Sequence, residues 1–340
     1  MKTEPETVSQ NNLFYAIASL LLLIAAFIFL CRFFITPDLI YPTRIDSLYV
    51  KYEAARNSEI LSQDMPGKST QVFFNPASLG MTYQDFTVKT TDGLTLKGWY
   101  VEAGEDANTL LIIHDLSQSK LNYLNMIKQM HDRGLNVCGV DMRAHGNSEG
   151  DEFSPGMVAV SDVKAIFDSL LKKTGTNHIA VFGVGLGAAI AIECASFDGR
   201  SDVLILQSPF SSFSEYVNRY VKRKWGRMAF LFHSVLEREL EVRLQYELTQ
   251  LDLSEIIKYV YMPTLVISGS DDEIVPSIDS YAVFDSSAAR EKKLYLVRNG
   301  RHDNIEQLDG EDYYNCIAEF ILNTIPKKPK ETRFKKLATG

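Results

Sequence analysis

Paired cysteine is the first thing missing from the 340 residues: Cys31, Cys138, Cys194 and Cys316 are widely spaced and form no C-x-x-C pair. Zinc sites and disulfide frameworks need close or regularly spaced cysteines. Neither is supported; the thiols read as buried, and no metal or other cofactor is implied. A positive patch is also lacking through the body of the chain, and over all 340 residues 35 Lys and Arg face 43 Asp and Glu for a net charge of −8. Duplex binding needs clustered cations to neutralise phosphates, so no nucleic-acid partner is expected. Pro and Gly are modest at 11 and 20, and a composition of 46% hydrophobic and 23% charged residues is far from collagen-like or disordered chains. Long apolar runs are absent except for one, which argues against a polytopic membrane protein and leaves enough chain for a sizeable core.

That one run spans Leu13 to Cys31, 19 residues without a charge, and resumes at Phe33, Phe34 and Ile35 after Arg32. At ~1.5 Å per residue it approaches the ~20 residues that cross a bilayer. The pattern predicts a tail over residues 1–12 and a single transmembrane helix over 13–35. A cleaved signal peptide and a buried core helix are the alternatives, but the run exceeds a normal signal core and no A-x-A-like site follows it. Lys2 precedes the span, whereas Arg32 and Arg44 follow it, a slight bias that places the body on the cytoplasmic side. A juxtamembrane linker over 36–75 then leads to one domain over 76–325. The last stretch, 326–340, sets Lys327, Lys328, Lys330, Arg333, Lys335 and Lys336 against Glu331. It suits anionic headgroups at about 1 kcal/mol per basic group, or is a solvated terminus.

Within the domain, short apolar runs recur at Phe86–Lys89, Leu94–Val101, Leu110–His114, Val137–Val140, Ile179–Phe182, Val203–Leu206, Leu265–Ile267 and Leu294–Val297. They read as strands. Thr91-Asp92-Gly93 marks a hairpin between the first two, and helical patterns at Leu121–Asp132, Val158–Lys173 and Leu186–Ala195 separate later ones. An antiparallel start followed by βαβ units predicts an α/β fold: a mainly parallel twisted sheet, helices on both faces, and a ligand crevice beyond the carboxyl ends of the strands. The rhythm breaks at about 211–258, which predicts an inserted helical cap. Its middle mixes Arg219, Lys222, Arg223, Lys224 and Arg227 with Tyr216, Tyr220 and Trp225, then runs Met228-Ala229-Phe230-Leu231-Phe232. Such a stretch contacts a membrane surface or an acyl ligand, or buries its apolar side on the domain.

Three segments fall just after strands. Gly183-Val184-Gly185-Leu186-Gly187 precedes an apolar helix, the strand-turn-helix setting of a G-x-S-x-G nucleophile elbow. Ser268-Gly269-Ser270-Asp271-Asp272-Glu273-Ile274-Val275-Pro276 places carboxylates beyond the next-to-last strand, and Asn299-Gly300-Arg301-His302-Asp303-Asn304 follows the last. Nucleophile, acid, histidine is the chain order of such triads. With Leu79-Gly80-Met81-Thr82-Tyr83, Asp141-Met142-Arg143-Ala144-His145-Gly146-Asn147-Ser148 and Gln207-Ser208-Pro209-Phe210, the sequence over roughly Pro76 to Ile325 resembles the α/β-hydrolase superfamily, in particular membrane-tethered Bem46-like and serine-aminopeptidase-like hydrolases.

The resemblance implies hydrolysis of a carboxylic ester or a peptide or amide bond, with Asp272 as the triad acid and His302 as the base. It also implies an oxyanion site at Leu186 and at the loop after Ile113-His114. Two positions depart from it. Gly185 stands where the family carries Ser and has no side-chain atom to form an acyl-enzyme. Asp115 stands where a Gly is expected, and a carboxylate beside a developing oxyanion repels it unless it turns away or is protonated. Ser117, Ser119, Ser208 and Ser270 are hydroxyls near the predicted crevice, but none lies in the elbow. His114 and His145 read as loop-shaping residues, and Asp141 and Arg143 as residues that pin the loop after their strand.

Three functions are compatible with these residues. The first is a catalytically impaired homologue that binds an acyl, ester or lipid-like small molecule at the membrane. The second is an active hydrolase using the His302–Asp272 dyad with water or a relocated serine. The third is a module presenting basic surfaces to lipid.

Overall fold

The computed structural model describes residues 6–34, 41–46, 74–153, 155–174, 178–244 and 247–325. The strands are β1 (Gln84–Lys89), β2 (Thr95–Val101), β3 (Thr109–Ile113), β4 (Asn136–Asp141), β5 (Ile179–Val184), β6 (Ser201–Gln207), β7 (Thr264–Gly269) and β8 (Lys292–Val297). Each falls on one of the apolar runs, and all but β2, which starts one residue inside its run, extend it by a residue or more at an end, because backbone pairing continues past the last apolar side chain. They form one sheet in the order β1-β2-β4-β3-β5-β6-β7-β8. β1 and β2 make the hairpin around Gly93, β2 runs antiparallel to β4, and every later pairing is parallel.

The helices are α1 (Glu6–Phe34), α2 (Leu124–Asp132), α3 (Met157–Thr174), α4 (Leu186–Phe197), α5 (Phe213–Trp225), α6 (Ala229–Leu244), α7 (Leu253–Ile256), α8 (Ser277–Ser286), α9 (Ile305–Asp309) and α10 (Glu311–Thr324). β3, β4, β5 and β7 are buried at every position, as expected of strands covered on both faces. Alternate side chains enter different cores. Leu111 and Val181 pack with Phe167 of α3 and Ile190 of α4, whereas Leu110, Ile112 and Phe182 pack with Met126 of α2 and Ile317 of α10. This is the α/β-hydrolase fold.

The helices α5, α6 and α7 lie between β6 and β7, where the strand pattern lapses. α5 buries Phe213, Tyr216, Val217 and Val221, whereas Met228 and Phe230 after it remain 53% and 76% exposed. The aromatic and basic stretch therefore divides: its first half packs on the domain and its second half keeps apolar side chains in the open. The side chains of Lys224, Leu231 and Phe232 lie outside the described residues.

α1 is long and apolar enough to cross a membrane, with mean hydropathy 2.4 over Asn12–Phe29 and none of that window buried. It lies against α6. The short described segment after it is tied to the domain: Arg44 donates to the carbonyls of Gly146, Ser148 and Gly150, Thr43 N donates to Ser117 Oγ at 3.2 Å, and the Tyr41 hydroxyl bonds Glu152 at 2.7 Å. The basic tail over 326–340 and most of the linker lie outside the described residues. Cys138, Cys194 and Cys316 are buried free thiols; the Cys31 side chain is outside the described set.

A buried ion pair fixes the loop beyond β4. Lys120 Nζ meets Asp141 Oδ2, and both side chains are almost fully enclosed. Asp141 also accepts from the backbone of Lys120 and of Asn147, each at 2.8 Å. Arg143 pairs with Asp162 and Asp92, so the loop is pinned twice. Removing one partner of a buried pair leaves an uncompensated charge and costs ~3–5 kcal/mol. Lys120→Met is expected to lower stability by about that much, and a denaturant unfolding midpoint that does not move would refute the role given to this pair.

Candidate active site

The elbow is present. Gly185 links β5 to α4 with φ 54 and ψ −112, a conformation that costs other residues ~1–3 kcal/mol. Its N–H bonds the Gln207 carbonyl at 2.9 Å. The flanking glycines are forced by contact: a Cβ on Gly187 would stand 2.2 Å from the Ile113 carbonyl oxygen, and one on Gly183 2.5 Å from that of Gly187. The start of α4 therefore passes too close to β5 at Gly183, and too close to the end of β3 at Gly187, for any side chain there.

The loops after β7 and β8 bring the other two residues together. Asp272, buried, accepts Ile274 N at 2.9 Å and Val275 N at 2.8 Å on Oδ1. Its Oδ2 takes the Ser208 hydroxyl at 2.9 Å and His302 Nδ1 at 2.8 Å. Asp271 points elsewhere, accepting from Ser270 Oγ at 2.7 Å.

Asp115 behaves differently from the expectation drawn from its position. Its carboxylate neither turns away nor stands beside the oxyanion; it occupies the place between the donors that an oxyanion would take. Oδ1 accepts both Leu116 N and Leu186 N at 2.8 Å, the second at the first turn of α4, where the helix dipole favours an anion. Oδ2 lies 2.9 Å from His302 Nε2. A Cβ built on Gly185 would meet Asp115 Oδ1, Cγ and Oδ2 at 2.4, 2.5 and 2.6 Å. The Asp115 carboxylate thus fills the room that a side chain at the elbow would take.

His302 is consequently held between two carboxylates, its side chain about 10% exposed. Burial works to lower its pKa, but the hydrogen bonds and charges of Asp115 and Asp272 outweigh this and raise it to about 10. Burial works to raise Asp115, yet the hydrogen bond and charge of His302 and the two backbone donors hold it below the usual carboxylate range. At neutral pH the group facing the elbow is an imidazolium paired with a carboxylate.

The other site histidines show the opposite balance. Burial pushes His114 down to about 4 and, helped by the neighbouring His114, His145 down to about 3. His114 Nε2 accepts Met142 N at 2.9 Å and His145 Nε2 accepts Ser117 N at 3.2 Å. Both are neutral rings that hold loops. The candidate hydroxyls are likewise occupied: Ser117 accepts from Thr43 N, Ser119 caps the turn before α2, Ser208 supports Asp272, and Ser270 accepts from Asn299 N. None is hydrogen-bonded to the imidazole, whose two nitrogens both face carboxylates.

Above this constellation lies a half-open cavity of about 740 Å³, lined by Asp115 and His302 below, Tyr216, Tyr220 and Arg223 of the cap, and Thr43 at one side. Thr43 had no signal in the sequence, because nothing local tells a linker residue that it will dock. Tyr216 and Tyr220 were visible only as part of an aromatic stretch.

The comparisons agree with this fold. A family model described as serine aminopeptidase, S33, matches residues 104–252. The chain is 27% identical over 247 residues to the uncharacterized protein YqkD of Bacillus subtilis, covering 70% of this chain and 79% of that one. It is 26% identical to an uncharacterized membrane protein of Saccharomyces cerevisiae (73% and 82% covered) and 23% identical to protein bem46 of Schizosaccharomyces pombe (72% and 79%). Among solved structures, an esterase of Pyrococcus furiosus matches with TM-score 0.63 at 21% identity, over 76% of this chain and 97% of that one. Fold and comparisons define an α/β-hydrolase fold. Its similarity runs to the Bem46 and ABHD type.

A raised histidine pKa stabilises the fold while the group is charged and stops doing so once it deprotonates in both states. The His302 pairing should therefore contribute fully below its ordinary pKa of 6.5, down to about pH 4 where carboxylates protonate, and fade as pH rises towards about 10. The gap in thermal stability between the parent chain and His302→Gln is expected to narrow across that alkaline window; a gap that widens there contradicts the imidazolium assignment.

Proposed function

We propose that this chain is a membrane-anchored α/β-hydrolase-fold protein in which Gly185 replaces the nucleophilic serine. It is impaired in acyl transfer to serine and binds an acyl or lipid-like molecule in the cavity over His302. The observation that carries this reading is the Asp115 carboxylate, which takes both backbone donors at the elbow and leaves no room for a side chain on Gly185. A substrate carbonyl finds neither an attacking hydroxyl nor a vacant pair of N–H groups.

The alternative, a His302–Asp272 dyad activating water in the ground state, has less support. General-base catalysis needs an imidazole that is neutral at working pH and has a nitrogen within reach of the water. Here Nε2 is bonded to Asp115 and the ring stays charged until about pH 10. The cavity wall of Tyr216, Tyr220 and Arg223 supports a ligand with an apolar body and an anionic or polar end.

Anchoring is supported by the unburied apolar helix α1, by exposed Phe230 and Met228 on the neighbouring cap, and by the yeast relative described as a membrane protein. The full chain is expected to resist alkaline carbonate extraction from membranes; quantitative release would overturn the anchor.

The loss of serine chemistry has a sharper test. The parent chain should take no fluorophosphonate label. Gly185→Ser alone should also fail, because its Cβ meets the Asp115 carboxylate at 2.4 to 2.6 Å. Asp115→Gly combined with Gly185→Ser should gain labelling and p-nitrophenyl ester turnover. Labelling of the parent at any cavity serine would sink the proposal.

A further inference from the structure

The carboxylate that fills the elbow is arranged as a nucleophile is. An aspartate placed at the elbow itself would carry its Cγ about 1.5 Å from its own Cβ. The Asp115 Cγ lies 2.5 Å from where that Cβ would stand, so Asp115 brings its carboxylate to the elbow from the neighbouring loop. One oxygen, Oδ1, sits between the N–H groups of Leu116 and Leu186; the other, Oδ2, borders the cavity beside His302. A carboxylate attacks saturated carbon well and carbonyl carbon poorly, because an anhydride is a worse resting place than an ester.

Displacement at saturated carbon is in line, so the leaving group points away from Asp115 and towards the cap. Tyr216 lies there. It lines the cavity, and burial, helped by the charges of Asp115 and Asp272, raises its phenol and keeps it protonated. A phenol on the cavity wall offers a proton, which suits a leaving oxygen rather than a leaving halide.

We infer that Asp115 is a carboxylate nucleophile opening an epoxide carried on an apolar chain, with Tyr216 as the proton donor and His302 as the base of the second step. Asp115 Oδ2 forms a bond to a ring carbon while the C–O bond breaks, and its electron pair stays on the ring oxygen. That oxygen takes the Tyr216 proton. His302, no longer facing an anion at Asp115, releases its proton to restore the phenol. The products of this half are an alkyl ester on Asp115, a neutral imidazole and a free hydroxyl.

Water then fills the place beside Nε2. His302 takes one proton from it and the hydroxide adds to Asp115 Cγ. The new oxyanion is Oδ1, already between its two donors. Collapse breaks the bond from Cγ to the alkylated oxygen, and the departing alkoxide takes the proton from His302. Asp115 then returns its own acid proton to the imidazole, restoring the ion pair. The sum is epoxide plus water to vicinal diol, with no other reactant. The ion pair that prevents water activation in the resting enzyme is dismantled by the first half-reaction and supplies the base for the second.

This rests on the reading that position 185 supplies no nucleophile, and the two fail separately: fluorophosphonate labelling reads the first, ring opening the second. The test uses the full chain in detergent with cis-9,10-epoxystearate in H₂¹⁸O. The expected result is diol formation, with solvent oxygen entering the Asp115 peptide over repeated turnovers and an unlabelled diol from a single turnover. His302→Gln should accumulate the alkyl ester on Asp115, seen by peptide mass. Asp115→Asn should lose at least a hundredfold in rate, and Tyr216→Phe roughly tenfold, with thermal unfolding confirming that both variants fold. Absence of both diol and ester from the folded parent chain, or solvent label in the diol of the first turnover, overturns the inference.

Discussion

The ion pair between Asp115 and His302 sets the state of every other group at the centre of this molecule. It crosses from the end of β3 to the loop after β8 and is enclosed by the sheet below and the cap above. Because the imidazolium also faces Asp272, and Asp272 in turn holds Ser208 and the turn at Val275, the ends of β3, β6, β7 and β8 are locked through one ring. Breaking the pair from either side strands a buried charge. The two unusual positions are therefore one feature: glycine at 185 makes the space, and aspartate at 115 occupies it. Neither makes sense without the other, since a side chain at 185 collides with the carboxylate, and a small residue at 115 would leave two N–H groups and an imidazole nitrogen without their present partner.

Three histidines in one neighbourhood show how far surroundings decide charge. His114 and His145 have rings 4.7 Å apart, are deprived of water, and accept backbone N–H groups, so they stay neutral. His302 is nearly as buried but donates to acids on both sides, and it stays charged. Residue type alone would assign all three the same behaviour. What separates them is whether the neighbouring atom is an amide hydrogen or a carboxylate oxygen, which is a matter of loop path.

Much of the architecture was written in local pattern. All eight strands sat on apolar runs, and the hairpin at Thr91-Asp92-Gly93 and the helix-rich interval before β7 followed from turn chemistry and the loss of period two. The choice of Asp272 over Asp271 came from the resemblance, and the hydrogen bond to His302 falls on that residue. The path of the Asp115 side chain was not legible. Its partners Leu186 and His302 are 71 and 187 positions away in sequence, and whether the carboxylate repels an oxyanion or replaces it depends on ångström-scale placement that no spacing rule contains. Lys120 was equally silent, because a lysine at the start of a helix reads as solvated until the fold closes over it.

Arg44 sets a geometric limit that bears on how molecules reach the cavity. Its guanidinium is fastened to three carbonyls of the loop beyond β4, while the apolar helix ends at Phe34. Seven residues of fully extended chain span at most about 25 Å, so Tyr41 stands no farther than that from the end of the helix. With the helix in a bilayer, the cavity beside Thr43 hangs close to the leaflet surface. A hydrophobic molecule leaving the lipid then meets the protein at the high local concentration set by partitioning, and its dilute aqueous concentration ceases to govern encounter.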